Sequence, residues 1–99
     1  MDININAKGH IHQEGLKEFY SNSIEKKYSK YPFVKTAKLN IRSFENGEIE
    51  MGLIMEMEKG GDLFAKAESG DEAKAFKSVI RKIDVQVEKY KKTHYWKYS

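Results

Sequence analysis

Four stretches of the chain carry an apolar row at alternate positions, and in all four that row is odd-numbered. They are Met1, Ile3, Ile5 and Ala7; Ala37, Leu39 and Ile41; Ile49, Met51, Leu53, Met55 and Met57; and Leu63, Ala65 and Ala67. Alternation of this kind marks a strand with one buried face. The shared parity restricts pairing, because a slip of one residue turns a whole row to the other face. Between the second and third stretches, a two-residue Asn46-Gly47 loop would pair odd with even positions and divide the rows between two faces. A three-residue loop, Glu45-Asn46-Gly47 with Gly47 left-handed, keeps the rows together. It also sets Arg42 opposite Glu50, a favourable cross-strand pair. The same logic predicts a Lys59-Gly60-Gly61 loop in the second hairpin.

The period changes between the first two stretches. From about Gln13 to Lys30, Leu16, Phe19, Tyr20, Ile24 and Tyr28 recur at helical spacing and predict one buried stripe. Pro32 ends this helix, because the residue before proline avoids the helical region. A last helix is announced by Ser69-Gly70-Asp71-Glu72, read as an S-x-x-E capping box. Phe76, Val79, Ile80, Ile83, Val87 and Tyr90 form its apolar stripe. The predicted fold is α+β, in the order β-α-β-β-β-α. It has a four-stranded mixed sheet, its first two strands parallel, and both helices packed on the one apolar face. The other face, with Lys38, Arg42, Glu50, Glu56, Lys66 and Glu68, is left to water.

A chain of 99 residues suits one domain, expected to span 1–99. No apolar run approaches the roughly 18 residues of a membrane span, and the start resembles no secretory signal. The absence of cysteine excludes disulfides and thiolate metal sites and agrees with a cytoplasmic location. The charge is uneven. Between Ala73 and Ser99, eight Lys and Arg oppose only Asp84 and Glu88, a net of +6 where the whole chain carries +3. Such asymmetry predicts an anionic partner for one face.

Little in the chain supports catalysis. His10 and His12 form an H-x-H that could hold a metal only with further ligands, and they are read as polar loop residues. There is no G-x-S-x-G and no phosphate-binding loop. Glu48, Glu50, Glu56 and Glu58 read as a solvated sheet face, and Met51, Met55 and Met57 as core. Tyr95, Trp96 and Tyr98 beside Lys97 could stack on bases or pack on the domain. No catalytic residue, metal, cofactor or small-molecule substrate is therefore expected.

The cations are the strongest signal. On the last helix, Lys74, Lys77, Arg81 and Lys92 fall opposite the apolar stripe, with Lys82 and Lys89 flanking them and Lys91 nearby. Acids at helical spacing compensate them poorly. Lys17, Lys26, Lys27 and Lys30 add cations to the first helix. This pattern predicts RNA binding in which lysines neutralise phosphates. Two other readings are a general double-stranded RNA module and a protein-interaction domain pairing through its sheet.

The stretch "GGDLFAKAESGDEAKAFKSVIRKIDVQVEKYKK" resembles the ribosome hibernation promoting factors, also called ribosome-associated inhibitors, of the sigma-54 modulation protein family. Gly60-Gly61, Ala65, Ala67, Asp71, Ala75, Lys82, Ile83, Gln86, Val87, Lys89 and Lys91 stand where that pattern expects them. So do Leu16, Lys17, Glu18 and Lys26 near the start. Three positions depart: Val85 replaces a frequent arginine, Lys77 an aspartate, and His12-Gln13 a threonine or serine. The resemblance implies the same β-α-β-β-β-α fold. It also implies a non-enzymatic inhibitor of translation that binds rRNA in the mRNA and tRNA channel of the small ribosomal subunit and accumulates under stress and in stationary phase. It implies a short form without a C-terminal dimerisation domain, expected to be monomeric off the ribosome.

Overall fold

The computed structural model describes residues 1–9 and 14–94. His10, His12 and the tail residues Tyr95, Trp96, Lys97 and Tyr98 lie outside them. The elements are β1 (Asp2–Lys8), α1 (Glu14–Tyr28), β2 (Val34–Ser43), β3 (Ile49–Met57), β4 (Leu63–Ser69) and α2 (Glu72–His94). They build a four-stranded sheet in the order β1-β2-β3-β4, with β1 parallel to β2 and the hairpins antiparallel. The odd-numbered rows share one face. Leu39, Ile41, Met51, Leu53 and Met55 are buried in one cluster with Tyr20, Ile24 and Tyr28 of α1 and Val79, Ile83 and Val87 of α2. Both helices therefore cover that face, and no helix among the described residues is long and apolar enough to cross a membrane.

The first hairpin follows the parity argument. Arg42 stands opposite Glu50, and Gly47 has φ +89°. The Gly47 N–H donates to the Phe44 carbonyl and the Phe44 N–H to the Glu48 carbonyl, closing a Glu45-Asn46-Gly47 loop. The second hairpin differs from its expected register by two residues. Met55 pairs with Leu63 rather than Ala65, which preserves the buried face. The cause is Asp62, whose carboxylate accepts from the Met57 N–H at 3.2 Å and replaces a rung of the ladder. The chain then turns through Glu58 to Asp62, with Gly60 and Gly61 both at positive φ.

Three further local expectations are corrected, and one residue outside the alternating rows is buried. Phe19 is 59% exposed, because it sits about 100° around the helix from Tyr20 and only one of them can face the sheet. On α2, Ala75 takes the buried position, and Phe76 and Ile80 are only partly buried. The α2 cap is Asp71, not Ser69: its carboxylate accepts from the N–H groups of Ala73 and Lys74 at 2.9 and 3.2 Å. A carboxylate there also meets the positive end of the helix dipole. Ser69 is still in β4, opposite Ile49, and its hydroxyl accepts from the Asp71 N–H instead. Finally, Val34 is even-numbered yet buried, because a register shift between Val34 and Thr36 reverses the parity there.

Candidate nucleic-acid interface

The two helices lie side by side and run in the same direction. Tyr20 of α1 meets Phe76 of α2, ring centroids 4.6 Å apart. Further along, the Tyr28 hydroxyl donates to Asp84, and the Lys27 ammonium pairs with the other oxygen of that carboxylate at 3.0 Å. Tyr31, just past α1, donates to Glu88 at 3.4 Å. Contacts that advance together along both helices are those of parallel packing. Tyr28, the last residue of α1, is level with Asp84, so α2 runs on past the end of α1. Lys30, just past α1, thereby meets Lys91 at the Tyr31 ring, and the cations in each helix's last turn, Lys26 and Lys27 on α1 and Lys91 and Lys92 on α2, complement the dipoles.

Asp84 joins the helices through a buried tyrosine. Burial first, and then the bond to Asp84, push the Tyr28 phenol well above its ordinary value of 10.0. Burial and then Glu72 raise Tyr20 likewise. A phenol whose folded pKa is raised stabilises the fold fully below its unfolded pKa, and that stability is lost as pH rises. Thermal stability is expected to fall above about pH 10, once the unfolded tyrosines ionise. In Tyr28→Phe the alkaline slope should be shallower. An equal slope in both proteins would assign the transition to other groups.

The eleven sequence-predicted cations do not form one ridge; they divide among four places. Lys74, Lys77, Arg81 and Lys92 are exposed on α2 with no ion pair among the described residues. Lys77 and Arg81, with Lys27, line an interhelical cleft of about 310 Å³ floored by Phe76, Ile80 and Asp84. Lys30 and Lys91 flank Tyr31 in a second cleft, and Lys91 also pairs with Glu88 at 3.4 Å. Lys82 and Lys89 face the other way, toward the β4 edge. The Lys82 ammonium donates to the Lys66 carbonyl at 2.7 Å, so part of its hydrogen-bonding capacity is already used. Lys89 sits beside Leu63 and Gln86. Lys17 and Lys26 are exposed on α1.

Gln86 acts beside Lys82. Its amide donates to the Phe64 carbonyl at 2.6 Å and accepts from the Phe64 N–H at 3.2 Å, as a neighbouring strand would. Together Gln86 and Lys82 cover an edge that is otherwise open to pairing with another chain. Gln86→Ala should cost about 1–2 kcal/mol and speed amide exchange at Phe64. Unchanged exchange would show that the latch contributes nothing. Val85, next to it, is 66% exposed, so a cation at this position would project into solvent. On the open sheet face, Lys66 pairs with Glu50 at 3.1 Å and, as the largest influence, holds that carboxyl below its usual range.

Fold and charge define an α+β domain with a basic layer of two parallel helices on one side and a mixed-charge, solvated sheet face on the other. The chain belongs to the sigma 54 modulation protein / S30EA ribosomal protein family, whose sequence profile matches residues 3–94. Proteins of this family are non-enzymatic and bind ribosomes, and this chain is a ribosome-associated protein of the hibernation kind. A ribosomal subunit interface protein from Coxiella burnetii has a similar structure, with TM-score 0.72 and 21% identity over 92% of this chain and 98% of that one. The N-terminal domain of Thermus thermophilus Protein Y is also similar, with TM-score 0.74 and 14% identity over 91% of this chain and 99% of that one. At these identities the two structures bear on the fold alone. No curated protein sequence matches the chain.

Proposed function

We propose that this protein silences translation in the cytoplasm by occupying the mRNA and tRNA channel of the small ribosomal subunit, its helix layer against ribosomal RNA. The observation that carries the reading is the α2 crest, where Lys74, Lys77, Arg81 and Lys92 are exposed without ion pairs among the described residues. Lys27, Lys30, Lys89 and Lys91, with Lys17, Lys26 and Lys82, extend the surface on either side. Lysines arranged this way neutralise phosphates and read no sequence, which suits a folded RNA recognised by shape. The covered β4 edge argues against a domain whose main work is strand pairing at that edge.

Co-sedimentation with ribosomes at several salt concentrations tests this. If about five phosphates are neutralised, log affinity falls with log salt at a slope of roughly −3.5 to −4.5. A flat salt response would overturn the electrostatic mechanism. Equal affinity for a plain RNA duplex would replace the ribosome with double-stranded RNA in general.

A further inference from the structure

The Tyr31 cleft differs from the rest of the basic surface. It has a volume of about 320 Å³ and is lined by Lys30, Tyr31, Pro32, Phe33 and Lys91. The Lys30 and Lys91 ammoniums come from separate segments to the same ring, 5.3 and 5.9 Å from its centroid. The ring itself is set in place. The Tyr31 N–H donates to the Tyr28 carbonyl and the Val34 N–H to the Tyr31 carbonyl, with rigid Pro32 between them. Its hydroxyl donates to Glu88, which also pairs with Lys91. Phosphates along a duplex need only cations, and a wall of tyrosine, proline and phenylalanine adds nothing for them. A base released from its stack does need such a wall, because every base has an apolar face to cover.

We propose that this cleft holds one unpaired ribonucleotide, with its base against Tyr31 and Pro32 and its phosphate between Lys30 and Lys91. An arriving phosphate draws the two ammoniums off the ring, and the base takes the face they vacate. The inference rests on the RNA-binding reading above and adds a single-stranded element to it.

Isotope-labelled protein is titrated with a single-stranded tetraribonucleotide, a blunt RNA duplex and inorganic phosphate. The Tyr31 ring signals should move upfield with the single strand, because a stacked base shields them, and show no such upfield shift with the other two. Tyr31→Phe keeps the ring and should bind as the wild type does. Tyr31→Leu fills the site without a stacking face and should weaken single-strand binding about 5- to 150-fold, with duplex binding unchanged. Equal single-strand binding by the leucine variant, with its spectrum showing the native fold, would overturn the proposal. So would ring shifts that phosphate alone reproduces. Ribosome pelleting of the wild type is scored separately. Its failure would remove the ribosome reading, and the oligonucleotide titration decides the cleft by itself.

Discussion

Reversing Lys77, Arg81 and Lys92 to glutamate together should weaken ribosome binding at physiological salt by on the order of 10²- to 10³-fold. All three are exposed, and none makes an ion pair among the described residues, so the fold loses no partner. Each reversal removes one counterion-releasing contact and puts a carboxylate against phosphate. If about three of five contacts are lost, the salt slope should shrink to roughly −1.5 to −2. Melting temperature should change little, because solvated charges of this kind contribute little to stability. Lys38→Glu on the open sheet face is the control and should bind as the wild type does. Full binding by the triple variant would place the RNA on another face.

Geometry dictates that choice of residues. By sequence alone, Lys82 and Lys89 were as good candidates as Arg81. The structure turns them toward the β4 edge and engages Lys82 with the Lys66 carbonyl, so reversing Lys82 would damage the sheet edge as well as the charge. Lys27 is unsuitable for a similar reason. A glutamate there would stand beside Asp84 and deprive that carboxylate of its cation.

Features governed by backbone periodicity were legible in the sequence. Odd parity gave one buried sheet face and placed Arg42 opposite Glu50 without knowledge of any contact. Parity fails where one side chain substitutes for a ladder bond. Asp62 accepting from the Met57 N–H shifts the second hairpin by two, and both registers bury the same residues, so the hydrophobic pattern could not choose between them. The interhelical contacts were illegible for another reason. Tyr28 with Asp84, and Tyr31 with Glu88, depend on how far one helix slides along the other, which neither helix encodes alone. Gln86 carried a signal only as part of the family pattern, since a glutamine facing an edge carbonyl reads in sequence as one more polar surface residue. The division of the cations into four groups follows from the same missing alignment.

Tyr28→Ala should cause the largest loss of stability of any change described above, about 3–5 kcal/mol. The side chain is fully buried and among the largest in the core. Its removal leaves a cavity under α1 and deletes the hydroxyl that reaches Asp84. A domain of this size has roughly 5–15 kcal/mol in total, so the loss is a large share of its stability. At roughly 4–8 °C per kcal/mol, its melting point should drop by on the order of 15–30 °C. Tyr28→Phe separates the two contributions. It keeps the packing and loses one bond to a charged acceptor, about 1.5–3 kcal/mol. Asp84 retains Lys27 in that variant, so the helices stay aligned and ribosome binding well below the melting point should persist. In the alanine variant the helices lose their shared anchor, and Lys27 no longer has a fixed position relative to Lys77 and Arg81 across the cleft. Denaturant titration of the two variants gives the stabilities directly. An alanine variant no less stable than the phenylalanine one would mean that the hydrogen bond, not the buried ring, holds the helix layer together.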